Sequence, residues 1–161
     1  MKKILVLVLS LMLALSITAC SSTKTPEKVD TSNQTETTPV LESEYPFPSN
    51  ITEEIGNGRI YVSTPSGTSE NGNIPIEYVD TNTVICQIGL SLMNFEGDKQ
   101  VFIYVDKTYN KKVQAGFRTD TTITLSEDLL NPGIHTVTAV QFENNDPLGR
   151  VIEYHETKFE I

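Results

Sequence analysis

From residue 59 onward, apolar and polar residues alternate with a period of two, the spacing of a strand that turns one face to a core. The clearest case is TVICQIGLSL, where Val84, Cys86, Ile88, Leu90 and Leu92 alternate with Thr83, Gln87, Gly89 and Ser91. Strands are predicted over 59–63, 74–78, 83–93, 99–105, 112–117, 121–126, 134–142 and 150–161, the last bending near His155. The gaps PSGTSENGN, NFEGD, DKTYNK, LNPG and ENNDPLG are rich in Gly, Asn, Asp and Pro, the residues that turn a chain. No window of helical length carries a 3.6 period, and only SEDLLN reads as a helical turn. Short strands at this spacing, without an internal repeat, predict an all-β sandwich or small barrel.

The first 46 residues follow other patterns. Lys2 and Lys3 precede the apolar run ILVLVLSLMLALSI, which ends at the small residues Thr18 and Ala19. Those three zones are the layout of a secretory signal peptide. The run is shorter than the roughly 20 apolar residues that cross a bilayer, and no charged stop follows it. Residues 1–19 are therefore read as a cleaved leader. Residues 20–46 are rich in Ser, Thr, Pro and Glu and bury too little apolar surface to offset chain entropy, so they read as a disordered tether. Such a coil spans on the order of 25–30 Å. Residues 47–161 suit one domain of ordinary size.

Ile17, Thr18, Ala19 and Cys20 resemble the lipobox of bacterial lipoproteins: an aliphatic residue, two small residues, then cysteine. The resemblance implies a diacylglyceryl group on the Cys20 sulfur and a mature chain that begins there, held to the membrane outside the cytoplasm. Two acyl chains meet the requirement for a stable anchor, which one does not. Cys20 would then have no thiol for a disulfide with Cys86, the other cysteine, which the strand pattern places on a buried face. The segment LLNPGIHTVTAVQFENND resembles the penultimate strand of bacterial immunoglobulin-like domains, with His135, Val137 and Ala139 at alternate positions after Pro-Gly. VFIYVDKTYNKKV before it resembles a strand and hairpin of the same domains. The expected fold is an immunoglobulin-like β-sandwich of about seven to eight antiparallel strands. With no Trp and no second cysteine opposite Cys86, the core is not that of an antibody domain.

Charge narrows the partners. The net charge is −9, and removing Lys2 and Lys3 with the acid-free leader takes it to −11. That balance speaks against nucleic acid, whose binding needs clustered Lys and Arg, and against direct adhesion to an anionic membrane. Catalytic patterns are weak. The two histidines have bland expectations: His135 caps a sheet corner by bonding backbone, and His155, among Glu153, Tyr154 and Glu156, is solvated. There is no glycine-flanked serine elbow, HExxH or phosphate loop. The carboxylates scatter among turns, without the Trp that often lines a sugar cleft. Two histidines without neighbouring cysteines do not make a zinc site.

Calcium is harder to dismiss. With 83–93, 99–105 and 134–142 lettered B, C and F, the turns NFEGD, RTDT and ENNDPLG meet at one end. They would gather Glu96, Asp98, Asp120, Glu143, Asn144, Asn145 and Asp146, oxygen donors suited to a hard cation such as Ca2+ or to a basic partner surface. Asx residues that simply make turns are the favoured reading, because the spacing matches no calcium loop, and no cofactor is expected. The sequence thus points to a non-catalytic, lipid-anchored surface module that binds or adheres to an unknown protein or cell-wall partner, or serves a membrane complex. The rival is a small cell-envelope enzyme working through clustered carboxylates.

Overall fold

The structure, a computed structural model, describes residues 44–161. The leader, Cys20 and the linker up to residue 43 lie outside the described residues. Alternating apolar positions produce eight strands: β1 (Arg59–Thr64), β2 (Gly67–Thr68), β3 (Ile85–Met93), β4 (Gln100–Val105), β5 (Thr108–Gln114), β6 (Arg118–Ser126), β7 (Ile134–Phe142) and β8 (Val151–Glu160). They form two four-stranded antiparallel sheets, ordered β2-β1-β3-β6 and β5-β4-β7-β8. The domain is an all-β sandwich. Its β3 lies between β1 and β6 and its β7 between β4 and β8, as B lies between A and E, and F between C and G, in the immunoglobulin scheme.

The apolar rows meet between the sheets. Ile60, Val62, Ile88, Leu90, Leu92, Ile123 and Leu125 on one side face Val101, Ile103, Val105, Val137, Ala139 and Phe159 on the other. A second apolar layer lies outside. β4 is buried on both faces, and its Phe102 and Tyr104, with Val140, Phe142 and Tyr154, form an outer cluster covered by Tyr45, Phe47, Ile51 and Ile55. Phe47 meets Tyr104 edge-on at 5.2 Å, and the Tyr104 hydroxyl donates to the Pro46 carbonyl at 3.1 Å. The packed region therefore reaches Tyr45, ahead of the expected boundary at residue 47.

Several elements differ from the expected ones. β5 begins at Thr108 because Asp106 and Lys107 both take left-handed φ, 47° and 69°, which makes a tight two-residue hairpin turn. Residues 74–78 form no strand. Only Ile76 bridges Glu160, in parallel, and Pro75 has no N–H to extend a ladder. β3 starts at Ile85, leaving Val84 exposed and Cys86 half-buried beside the core. β8 runs unbroken through His155. The turn expected at SEDLLN is a short 3-10 helix, Glu127–Leu130.

Candidate functional site

Two of the three expected turns, NFEGD and ENNDPLG, come together at one end with the loop at 115–117, whereas RTDT begins β6. Asn94 and Phe95 N–H groups donate to the Phe117 and Gly116 carbonyls. Gln141, fully buried at the end of the inner row of β7, accepts from the Glu96 N–H and donates to the Glu96 and Lys99 carbonyls. Gln100 N–H donates to Asn145 Oδ1 at 2.7 Å. A buried amide side chain thus fixes the first of these loops, and an Asx side chain ties the last to β4.

The carboxylates at this end do not converge. Glu96 and Asp98 both face the Lys99 ammonium, and the bond that Lys99 donates to Glu96 raises the Lys99 pKa. Asp120 lies on β6, not in a turn. It accepts from the Ser91 hydroxyl at 2.7 Å and pairs with Arg118 at 3.1 Å, which together lower its pKa. Glu143 pairs with Arg150 at 2.9 Å and is lowered by it. Asp146 accepts the Leu148 N–H within its own turn, and Asn144 is exposed beside it. Among the described residues no three His, Cys, Asp or Glu side chains are grouped to hold a metal ion. Calcium would have to displace these local partners to gather its ligands. Phe117 and Leu148 stand on the same loops, each 81% exposed.

The main groove lies elsewhere, at the open side of the sandwich between β1 and β8. It has a volume of about 680 Å³ and is walled by Glu54, Arg59, Ile60, Ser69, His155 and Lys158, among others. His155 is not solvated: it is 3% exposed, on the inner row of β8 with Glu153, Thr157 and Phe159. Its Nε2 lies 2.7 Å from Glu153 Oε2, and its Nδ1 lies 3.6 Å from Glu54. The buried Glu153 carboxylate also accepts the Gly58 N–H at 2.9 Å and the Asn57 N–H at 3.2 Å. Every buried charge there has a partner, which is what burial demands. The pair latches the loop before β1 onto β8. Its signal in the sequence was alternation counted back from Phe159, which puts residues 157, 155 and 153 inward; the neighbouring acids hid it.

His135 does cap a corner. Its Nε2 meets the Asn131 carbonyl at 2.9 Å, as expected, and its Nδ1 meets Asp106 Oδ2 at 2.6 Å while the ring stacks on Phe159. Cys86 is a free cysteine, and burial, then the charge of Glu77, push its thiol up, away from the reactive thiolate. Cys20 lies outside the described residues. No family model, curated protein or solved structure matches the chain.

Proposed function

We propose that this chain is a non-catalytic module held to the outer face of a cell membrane by a lipid on Cys20, with the sandwich as a binding head on a tether. The supporting observation is where the polypeptide joins the head. Tyr45 and Phe47 pack beside Tyr104 and Tyr109, at the half of the outer sheet that ends in the β4–β5 turn. The strap then runs along that face to Ile55, which pairs with Tyr154, and reaches β1 at the opposite end, where Arg59 faces Met93. A tether attached at residue 44 therefore leaves the loops at 94–99, 115–117 and 143–150 pointing away from the point of attachment. Those loops carry exposed Phe117 and Leu148 among charged side chains, the mixture of apolar anchor and polar rim that protein-binding surfaces use. Their carboxylates are each occupied locally, which favours binding over acid–base chemistry.

Mass spectrometry of the chain extracted from its native membrane tests the anchor. The expected product starts at Cys20 with a diacylglyceryl thioether; an unmodified Cys20, or a Cys20–Cys86 bridge, overturns it. Photo-crosslinkers at Phe117 and Leu148 on intact cells test the head. A discrete adduct at these positions and none at Thr108, near the attachment point, is expected; equal yields at both ends overturn the reading.

A further inference from the structure

The outer edge of β8 is covered at two places and open between them. The Tyr154 N–H and C=O exchange hydrogen bonds with Ile55, at 2.9 and 3.0 Å. Six residues on, the Glu160 N–H donates to the Pro75 carbonyl at 3.0 Å, and the Glu160 carbonyl accepts from Glu77 at 2.8 Å. Both are outward pairs, and strand alternation makes Glu156 and Lys158 outward as well. No described residue bonds their backbone N–H and C=O groups on that side. Across the groove β1 repeats the situation. Val62 exchanges bonds with Ser69, so Ile60, two residues earlier, turns its own amide and carbonyl to the same open side. Two strand edges thus face one groove with unpaired backbone groups, an arrangement that proteins ordinarily cover.

The acids and bases of this groove, Glu54 and Glu156 against Arg59 and Lys158, are equal in number but differ in their partners. Glu54 faces His155, and Glu156 accepts from the Tyr154 hydroxyl and faces Thr138, so both acids are engaged. Arg59 and Lys158 are exposed and have no side-chain partner among the described residues. We propose that the slot on β8 between Ile55 and Ile76 is the docking site for an extended, acidic peptide segment of a partner protein. The segment adds a short strand to Glu156 and Lys158 by backbone hydrogen bonds and offers carboxylates to Lys158 and Arg59. The edge already takes extended segments of this chain in the same way, antiparallel at Ile55 and parallel at Ile76. Strand addition of this type draws affinity from main-chain bonds and selectivity from alternate side chains. The middle residue of the added strand points inward against Thr157 and Ser69, which bond each other at 2.7 Å, and so must be small. The same two arms keep a second copy of β8 from pairing along its whole length. The proposal rests on the reading of the head as a binding module and names a second surface for it, apart from the loop end.

Backbone hydrogen exchange on the full-length chain in detergent tests it. The probes are a short synthetic peptide alternating Thr and Asp, its counterpart with Lys for Asp, and the acidic peptide N-methylated at every second residue. The acidic peptide is expected to slow exchange at Glu156 and Lys158 by about tenfold or more, with no effect from the other two. Lys158→Pro removes one outward donor that serves no internal ladder, so it should abolish this protection without lowering the melting temperature. Lys158→Glu should shift the preference toward the Lys peptide. Binding that survives N-methylation, or a native preference for the Lys peptide, overturns the proposal. So does protection before any peptide is added, whether it grows with protein concentration, as for a second copy, or not, as for cover by the chain itself. The loop-end crosslinks and the mass of residue 20 are read separately, so failure here leaves the broader reading standing.

Discussion

Asp106 shows how one side chain can hold a corner. It sits in the left-handed region at the tip of the β4–β5 hairpin, accepts the Thr136 N–H at 2.8 Å with one oxygen and faces His135 with the other. Removing a carboxylate that satisfies a backbone donor and a buried ring costs roughly 1–3 kcal/mol. Asp106→Ala should lose stability in that range by urea unfolding, whereas Asp106→Asn, which tolerates the same φ, should recover part of it. Cys86 makes a second residue-scale prediction. Because burial and the Glu77 charge both raise its thiol pKa, alkylation mapped to Cys86 should be slow at neutral pH and faster in Glu77→Gln. An unchanged rate in that variant would remove Glu77 from the explanation. The sequence placed Cys86 on the inward row correctly but gave it too much cover, since it lies near the start of β3, half-buried at the margin of the core.

Among the elements, the latch before β1 depends on two glycines. A Cβ on Gly56 would lie 2.1 Å from the Glu153 carboxylate, and the residue has φ of 91°, where an L side chain is strained. Gly56→Ala should push Glu153 from its backbone donors and destabilise the fold by about 2 kcal/mol or more, with the loss concentrated in faster amide exchange over 55–58. If Gly56→Ala melts like the native chain, Glu153 does not hold this loop. The strands themselves were legible wherever one face is apolar and the other polar, as in β3 from Ile88 onward. β4 was read to within one residue, 99–105 against Gln100–Val105, but its second buried face was not, because an outer layer cannot be inferred from alternation. TYNK at the start of β5 was missed because Tyr109 is its one apolar side chain and the rest is polar, so it becomes a strand only by pairing with β4.

At the scale of the whole domain, the outer tyrosines link stability to pH. Burial pushes the Tyr104 phenol up to about 12, burial with the Glu156 carboxylate also raises Tyr154, and Tyr109 is raised by burial. A raised folded-state pKa means that the unfolded chain loses the proton first. The contribution is complete below the ordinary tyrosine value of about 10 and disappears as pH climbs through the folded values. The melting temperature should therefore fall steeply above pH 10, together with the tyrosinate absorbance change, and the fall should be smaller in Tyr104→Phe. A flat profile to pH 12 would mean that the strap does not shield these hydroxyls.

The period of two, the turn residues and the lack of any helical window were enough to determine an all-β head, because burying one face of a strand imposes alternation on the residues themselves. The sequence also carried the expectation that the turns NFEGD and ENNDPLG meet at one end, since antiparallel order dictates which turns are neighbours, but it placed the third turn on what is the start of β6. It did not carry which charges would find partners there, nor the buried Glu153–His155 pair, nor the open stretch of β8. Those depend on what lies across a sheet or beyond its edge, contacts between residues up to about a hundred positions apart that local pattern does not encode. Only the packed sandwich brings Gly58 to Glu153, and only the positions of Ile55 and Ile76 leave Glu156 and Lys158 uncovered.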